Sequence, residues 1–387
     1  MKHQRYNPDF SFYREPEEFN RDSDMSFLKY CLGAALYMPA YQDFATIVLT
    51  RKYKCLTTMV VCFEDAIDET QVSSAEKSAV ENFERLYCAL KDASLLYENL
   101  PLIFCRARSV EQFYELKKII DPKYYDIIAG YVFPKFSSKN GNEFFKVLNE
   151  INSQTDHKVY GMPLLEGTEL AEKETRISEL MKVKSIIDKN KDYVLNVRVG
   201  ATDFSSVFGA RRGVDYTIYD IITVADCLLD ILNTFTRYND YVVSGPVWEY
   251  FSSHWSNRYE KKFEPIDKKD KSVKTIIHND SIVDSSIDGL IRETLLDIAN
   301  GFTGKTSIHP SHIRYINALQ AVSREEYEDA CQILDTSGGV IKSKTSNKMN
   351  EIKPHTNWAN RILMRARAYG VLENGSDFFE LVEAPKR

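Results

Sequence analysis

Short apolar runs of strand length recur along this chain with segments of helical period between them, and that alternation restricts the fold more than any other feature. The runs fall at 32–38, 57–63, 100–106, 127–133, 159–165, 194–199, 241–248 and 306–309. Within 75–90, Ala75, Ala79, Val80, Phe83, Leu86, Tyr87 and Leu90 share one helical face. The same spacing relates Phe144, Val147, Leu148 and Ile151, and again Ile218, Ile221, Ile222, Ala225, Leu228, Leu229 and Leu232. Strand, loop and helix repeated in this way mark a parallel α/β fold. Eight such units predict a closed (β/α)₈ TIM barrel rather than an open doubly wound sheet.

The chain has 387 residues, more than the roughly 250 of one barrel domain, so additions are expected. Residues 1–31 form an N-terminal extension and 32–334 the barrel. A polar insertion at 254–288, with Lys261, Lys262, Lys268, Lys269 and Lys271 among acids, precedes the last strand. Residues 335–387 read as a mobile loop rich in Ser, Lys, Gly and Asn up to Pro354, then a helix over 357–369, together a candidate C-terminal helical lid.

Charge and cysteine usage exclude several classes. A net charge of −6 and a pI near 5.8 give no basic field for nucleic acid. No apolar run approaches the roughly 20 residues of a membrane span, and Met1 to Asn20 lack the order of a secretory signal. The seven cysteines are scattered without a Cys-x-x-Cys pair, which suits reduced structural thiols. A soluble cytoplasmic protein is expected. Gly301-x-x-Gly304-Lys305-Thr306 ends like a P-loop, but Ala299 stands where the first glycine is needed and Ile308-His309-Pro310 follows instead of a long helix. No Gly-x-Gly-x-x-Gly follows a strand.

Barrel enzymes collect their chemistry at the C-terminal ends of the strands. The polar residues there are Glu64 and Asp65 after the second run, Arg106 and Arg108 at the third, Lys135 after the fourth, Glu166 after the fifth, Asp203 after the sixth, and Lys305 and His309 around the eighth. Each alone could be a structural ion pair; together they put acids and bases around one mouth. Oxygen ligands on adjacent strands suit a hard cation such as Mg²⁺, which binds through one or two carboxylates and keeps places for water and substrate. His309 and His312 are three apart, but Pro310 lies between them and no further ligand is near, so a zinc site is a weak reading.

Five elements in order resemble the citrate lyase beta-subunit and HpcH/HpaI aldolase superfamily. They are Phe63-Glu64-Asp65-Ala66-Ile67, Phe133-Pro134-Lys135, Leu164-Leu165-Glu166-Gly167-Thr168, Gly200-Ala201-Thr202-Asp203-Phe204, and Gly304-Lys305-Thr306-Ser307-Ile308-His309-Pro310. The N-terminal extension and the 254–288 insertion resemble a divergent branch found with tellurite-resistance-type biosynthetic genes. Where the superfamily's first strand ends in Val-Pro-Gly, this chain has Met38-Pro39-Ala40.

The resemblance implies a carbon–carbon bond lyase or aldolase acting on a 2-oxo acid or related carboxylate, with an acyl-coenzyme A-like substrate left open. Glu166 and Asp203 would hold Mg²⁺, or Mn²⁺ in its place. Arg106 would grip a substrate oxygen, with Glu64, Asp65 and Lys135 completing the catalytic mouth and Gly200, Ala201 and Thr202 lining the substrate alongside Arg106 and Lys135. Lys305 and His309 would support the last strand end. Glu351, in Lys348-Met349-Asn350-Glu351, resembles an acid that closes over a neighbouring protomer's site, so a homo-oligomer, trimer or hexamer, is implied. A metal-dependent thioesterase, a phosphoenolpyruvate-type condensing enzyme and a non-catalytic binding subunit on the same fold are the alternatives.

Overall fold

Eight parallel strands form a ring in the computed structural model, which describes residues 1–65, 67–251, 285–336, 338–342 and 349–382. They are β1 (Ala34–Pro39), β2 (Thr58–Cys62), β3 (Leu102–Arg106), β4 (Ile128–Phe133), β5 (Tyr160–Leu165), β6 (Val197–Val199), β7 (Val243–Ser244) and β8 (Lys305–Ser307). Each strand pairs with the next, and β8 returns to β1 through Ala34↔Lys305, Ala35↔Thr306 and Leu36↔Ser307. The last seam is a single parallel bridge, Gly245↔Lys305, in which Gly245 N–H donates to Gly304 O at 3.0 Å and Thr306 N–H to Gly245 O at 3.1 Å. The ring is therefore a closed TIM barrel, with all eight expected strands present. The sixth and seventh are shorter than their apolar runs, because Val194 joins only an isolated bridge to Gly161, Gly245 joins only the closing bridge, and 246–248 leave the sheet.

The helices following the strands are α1 (Phe44–Leu49), α2 (Val72–Lys91), α3 (Val110–Ile119), α4 (Gly141–Asn152), α5 (Lys173–Lys189), α6 (Ile222–Phe235), α7 (Ser285–Asn300) and α8 (Pro310–Leu319). Local signals set their starts. Asp43 accepts from Thr46 N–H to cap α1, Ser109 accepts from Gln112 N–H to cap α3, and α8 begins with Pro310 after the cap residue His309.

Alternate residues of each strand serve two cores. Leu36, Met59, Val61, Ile103, Cys105, Tyr131 and Phe133 pack outward against the helices, whereas Ala35, Val60, Phe104, Val132, Met162 and Leu164 fill the barrel. Burial on both faces is why the strands read as continuous apolar runs instead of alternating ones.

The interior cluster extends into the N-terminal extension and the chain end, since Phe19, Phe27, Leu28, Tyr30, Ala368 and Tyr369 belong to it. Arg21 donates to the carbonyls of Tyr125, Ile128 and Lys158, and Tyr369 Oη to Tyr30 O at 2.7 Å. Strand Phe12–Arg14 pairs antiparallel with Val371–Leu372. These segments close the N-terminal face of the barrel, opposite the strand ends that carry the polar residues. Each buried aromatic among them contributes on the order of 2 kcal/mol.

The tail departs from expectation. After α9 (Arg324–Asp335), strands Val340–Lys342 and Met349–Glu351 form an antiparallel pair where a structureless loop was expected. Helix α10 (Ile352–Tyr369) starts five residues before 357, with Pro354 in its first turn, where a missing N–H leaves no hydrogen bond unmade. Of the expected insertion, 254–284 lie outside the described residues and 285–288 open α7. No helix among the described residues is long and apolar enough to cross a membrane.

Candidate metal and substrate site

Two carboxylates meet at the mouth. Glu166 directly follows β5, and Asp203 lies in the first turn of the short helix Ala201–Val207 that follows β6. Gly200 separates them: a Cβ placed there would sit 2.3 Å from Glu166 Oε2 and 3.2 Å from Asp203 Oδ2. The glycine is required for this close approach, not for an unusual backbone angle. Lys135 N–H, held by a backbone at φ 46°, donates to Glu166 Oε1 at 2.9 Å.

Glu166 is 6% exposed, and its pKa is raised well above the carboxylate range by burial first, then by Asp203 and Glu64. Asp203 is raised as well, chiefly by burial, against the pull of a hydrogen bond with Glu166. When ionised, each carboxylate disfavours the ionised form of the other, the direction in which burial also acts.

The cationic side of the mouth is equally enclosed. Arg106, the last residue of β3, is 7% exposed. Its Nη2 donates to Asp65 Oδ2 at 2.6 Å, and Nη1 lies 3.2 Å from Glu64 Oε2 without hydrogen-bond geometry. Cys62 Sγ accepts from Nε at 3.2 Å and Nη2 at 3.1 Å. Burial pulls the Arg106 pKa down, and Cys62, Tyr37, Glu64 and Asp65 together carry it above the usual arginine value, so the charge stays. Glu64 is raised by burial against Arg106, and Lys135 Nζ lies 3.4 Å from its Oε1. Asp65 and Lys135 are the exposed members, with side chains 72% and 62% accessible. Arg108 braces this edge, donating to Ile67 O at 2.6 Å.

Thus Glu64, Asp65, Arg106, Lys135, Glu166, Gly200 and Asp203 come together, with Ala201 buried and Thr202 exposed beside them. The residues of the last strand do not join them. Lys305 Nζ is buried in ion pairs with Glu293 at 2.9 Å and Asp297 at 2.6 Å of α7, between the barrel wall and its helices. This supporting role also disposes of the P-loop reading, because Lys305 opens a strand. His309 caps α8 and stacks on Phe251 with ring centroids 4.4 Å apart. His312 Nε2 lies 3.0 Å from Tyr250 O, and burial lowers its pKa to about 3.

Glu351 is exposed ahead of α10, whose far end packs on the N-terminal face, so the described part of the tail does not cover its own mouth. Sequence reasoning missed Tyr37, Cys62 and Arg198, all inward-facing. The parity of the strands could have found them, since Cys62 stands two before Glu64 and Arg198 two before Gly200.

The donor set fits a hard divalent cation. Glu166 and Asp203 would supply two oxygens to such an ion, and Mg²⁺ binds through one or two carboxylates with water and substrate as its other ligands. Among the described residues, no group of three or more His, Cys, Asp and Glu converges as a metal cage.

No curated protein matches the chain significantly in sequence. Among solved structures, the chain is similar to the protein CitE of Mycobacterium tuberculosis in complex with magnesium, acetoacetate and coenzyme A, at 14% identity and a TM-score of 0.51, covering 87% of this chain and 99% of that one. A citrate lyase beta subunit complexed with oxaloacetate and magnesium from the same organism matches at 16% identity and a TM-score of 0.43 over 75% and 96%. RipC from Yersinia pestis matches at 14% and 0.45 over 75% and 95%. At these identities the likeness is one of fold. The family model of C-C bond lyases of the TIM-barrel fold matches residues 26–371, and on that match the chain belongs to this family, as its citrate-lyase-like motifs led one to expect.

Proposed function

We propose that this protein is a Mg²⁺-dependent carbon–carbon lyase or aldolase acting on a 2-oxo acid or related small carboxylate, with Glu166 and Asp203 as the metal ligands and Mn²⁺ as an alternative ion. The observation that carries the reading is the convergence of Glu166 and Asp203 on either side of Gly200, two carboxylates at the mouth with raised pKa values. A cation bound there supplies Lewis acidity to the substrate oxygen on which charge develops as the bond between carbons breaks or forms.

The protein's own residues do the rest. Arg106 presents fixed donors to the same oxygen, and charge arranged in advance lowers the barrier without reorganisation. Glu64 and Asp65 hold the guanidinium on two sides and Cys62 on a third, so its orientation is set before substrate arrives. Lys135, whose pKa is raised by Glu64, Glu166 and Asp203 against burial, stays protonated at the rim and attracts the carboxylate. Gly200, Ala201 and Thr202 border the bound acid. A homo-oligomer, trimer or hexamer, with Glu351 reaching a neighbouring protomer, completes the proposal.

Calorimetric titration of Mg²⁺ and Mn²⁺ into wild type, Glu166→Gln and Asp203→Asn tests it. Both variants should bind more than about tenfold more weakly and lose lyase turnover on 2-oxo acids. Unchanged affinity in both would place the site elsewhere.

A further inference from the structure

Beneath the carboxylate pair lies a second cation that the reading above does not use. Arg198 stands two residues before Gly200 on the inward face of β6, opposite Leu164 and Ser244 of the neighbouring strands. It has no solvent exposure. Its Nη2 donates to Thr306 Oγ1 at 2.6 Å, and its Nε and Nη1 have no hydrogen-bond partner. The guanidinium carbon lies 5.6 Å from the centre of the Tyr37 ring, which Arg106 approaches at 5.2 Å, so the two arginines meet on one aromatic side chain.

A buried guanidinium with open donors is unfavourable unless an anion completes it. Other buried cations have acidic partners, although Nε of Arg212, like that of Arg21 and Arg365, also lacks a hydrogen-bond partner. Lys305 has Glu293 and Asp297, Arg176 has Asp226 and Asp230, and Arg212 has Glu293 at 2.7 Å. Among the described residues no carboxylate pairs with Arg198. Asn196, two residues earlier and 1% exposed, likewise leaves both amide atoms without partners. The polar layer at Arg198 and Asn196 is thus incomplete, and Tyr37 links it to Arg106 at the mouth.

We propose that Arg198 anchors a second anionic group of the substrate, so that the site takes a small dicarboxylate. One carboxylate engages Arg106 and the Glu166–Asp203 cation site, and the other accepts from an open donor of Arg198, Nε or Nη1, one residue layer deeper. This rests on the proposed carboxylate-lyase reading and narrows its substrate class. Guanidinium geometry makes the subsite selective, because planar, always-charged donors match a carboxylate better than a hydroxyl or a methyl group.

The test compares lactate with malate, which share a 2-hydroxy-carboxylate head and differ by one distal carboxylate. With Mg²⁺ saturating, calorimetry on the full-length wild type should show malate binding at least about tenfold tighter, the size expected for a hydrogen-bonded charged group. In Arg198→Met the malate-to-lactate ratio should fall to about one, and Arg198→Lys should give an intermediate ratio. Equal affinities in wild type, or a preference that survives in Arg198→Met, overturns the inference whatever the metal does. The wild-type comparison stands even if a variant fails to fold. Absence of Mg²⁺ uptake by wild type is a separate result and overturns the metal reading itself.

Discussion

In the metal-free protein, raising the pH should expose the cost of the Glu166–Asp203 pair, and one amide substitution should remove it. Both folded pKa values are raised, with burial the first cause. In the unfolded chain these groups titrate near 4, so the folded state holds its protons more tightly. The resulting stabilisation is complete below the unfolded values and is lost as pH rises through the folded ones.

Two limits set the size of the loss. Unit charges at about 4 Å in an effective dielectric of about 20 repel by about 4 kcal/mol, and one proton held over three pH units is worth at most about 4 kcal/mol. An unfolding entropy of about 2.1 cal/mol/K per residue, over 387 residues, converts each kcal/mol into about 1 °C. Differential scanning calorimetry in chelator at pH 5, 6.5 and 8 is the assay. Glu166→Gln should gain about 2–4 °C on wild type between pH 5 and 8. Mg²⁺ at about 100 times its Kd adds about 2.7 kcal/mol, close to 3 °C, to wild type, and should add almost nothing to the variant. A gap that does not widen with pH would refute the reasoning.

Three further outcomes follow from the geometry. Arg106→Lys keeps the charge but loses the planar donors that reach Cys62 and Asp65, so turnover should drop by about 100-fold in steady-state assays. Gly200→Ala puts a methyl group 2.3 Å from Glu166 Oε2 and 2.5 Å from its Cβ; calorimetry should show Mg²⁺ binding weakened as in Glu166→Gln while circular dichroism stays that of the barrel. Removing everything after Ser337 would, on the sequence reading of a lid, spare metal affinity. Because Ala368 and Tyr369 belong to the barrel's interior cluster, the expected result is instead a large loss of thermal stability, and Glu351→Ala is the variant whose turnover tests the acid.

The barrel was legible because its strands are buried on both faces. Val60 and Val61 serve opposite cores, so a continuous apolar run marks each strand, and polarity returns where the run ends. That same rule located Glu64, Arg106, Lys135, Glu166 and Asp203. It fails for residues inside a run: Arg198 lies between Val197 and Val199, where an apolar neighbourhood hides a charge, and Cys62 reads as a small hydrophobe although its sulfur touches Arg106. It fails too for long-range closure. Nothing near Phe12 or Val371 in sequence says that the two ends of the chain pair, because that contact is chosen by the shape of the barrel's N-terminal face and not by local propensity. The hairpin ahead of α10 was hidden by the polar composition around it, which resembles a loop unless the pairing partner is known.

Two buried charge clusters in this barrel show how a supporting network differs from a working one. Around Lys305, positive and negative groups answer each other: Glu293 also binds Arg212, Asp297 accepts from Tyr219 Oη at 2.5 Å, and Asp297 is pushed up only to about 6 by burial because Lys305 opposes it. No substrate is needed to complete that set, and its worth lies in tying α7 to β8 across the barrel's weakest seam. At the mouth Arg106 is answered by Glu64 and Asp65, but other charges are left unmatched. Two carboxylates face each other, and among the described residues no acid pairs with Arg198. Such an arrangement costs stability in the free protein, and on the proposed reading a cation between the acids and an anion on the arginine would offset it. The unmatched charges therefore describe the ligand more specifically than the fold does, since the same barrel with a completed set would hold its shape and bind nothing.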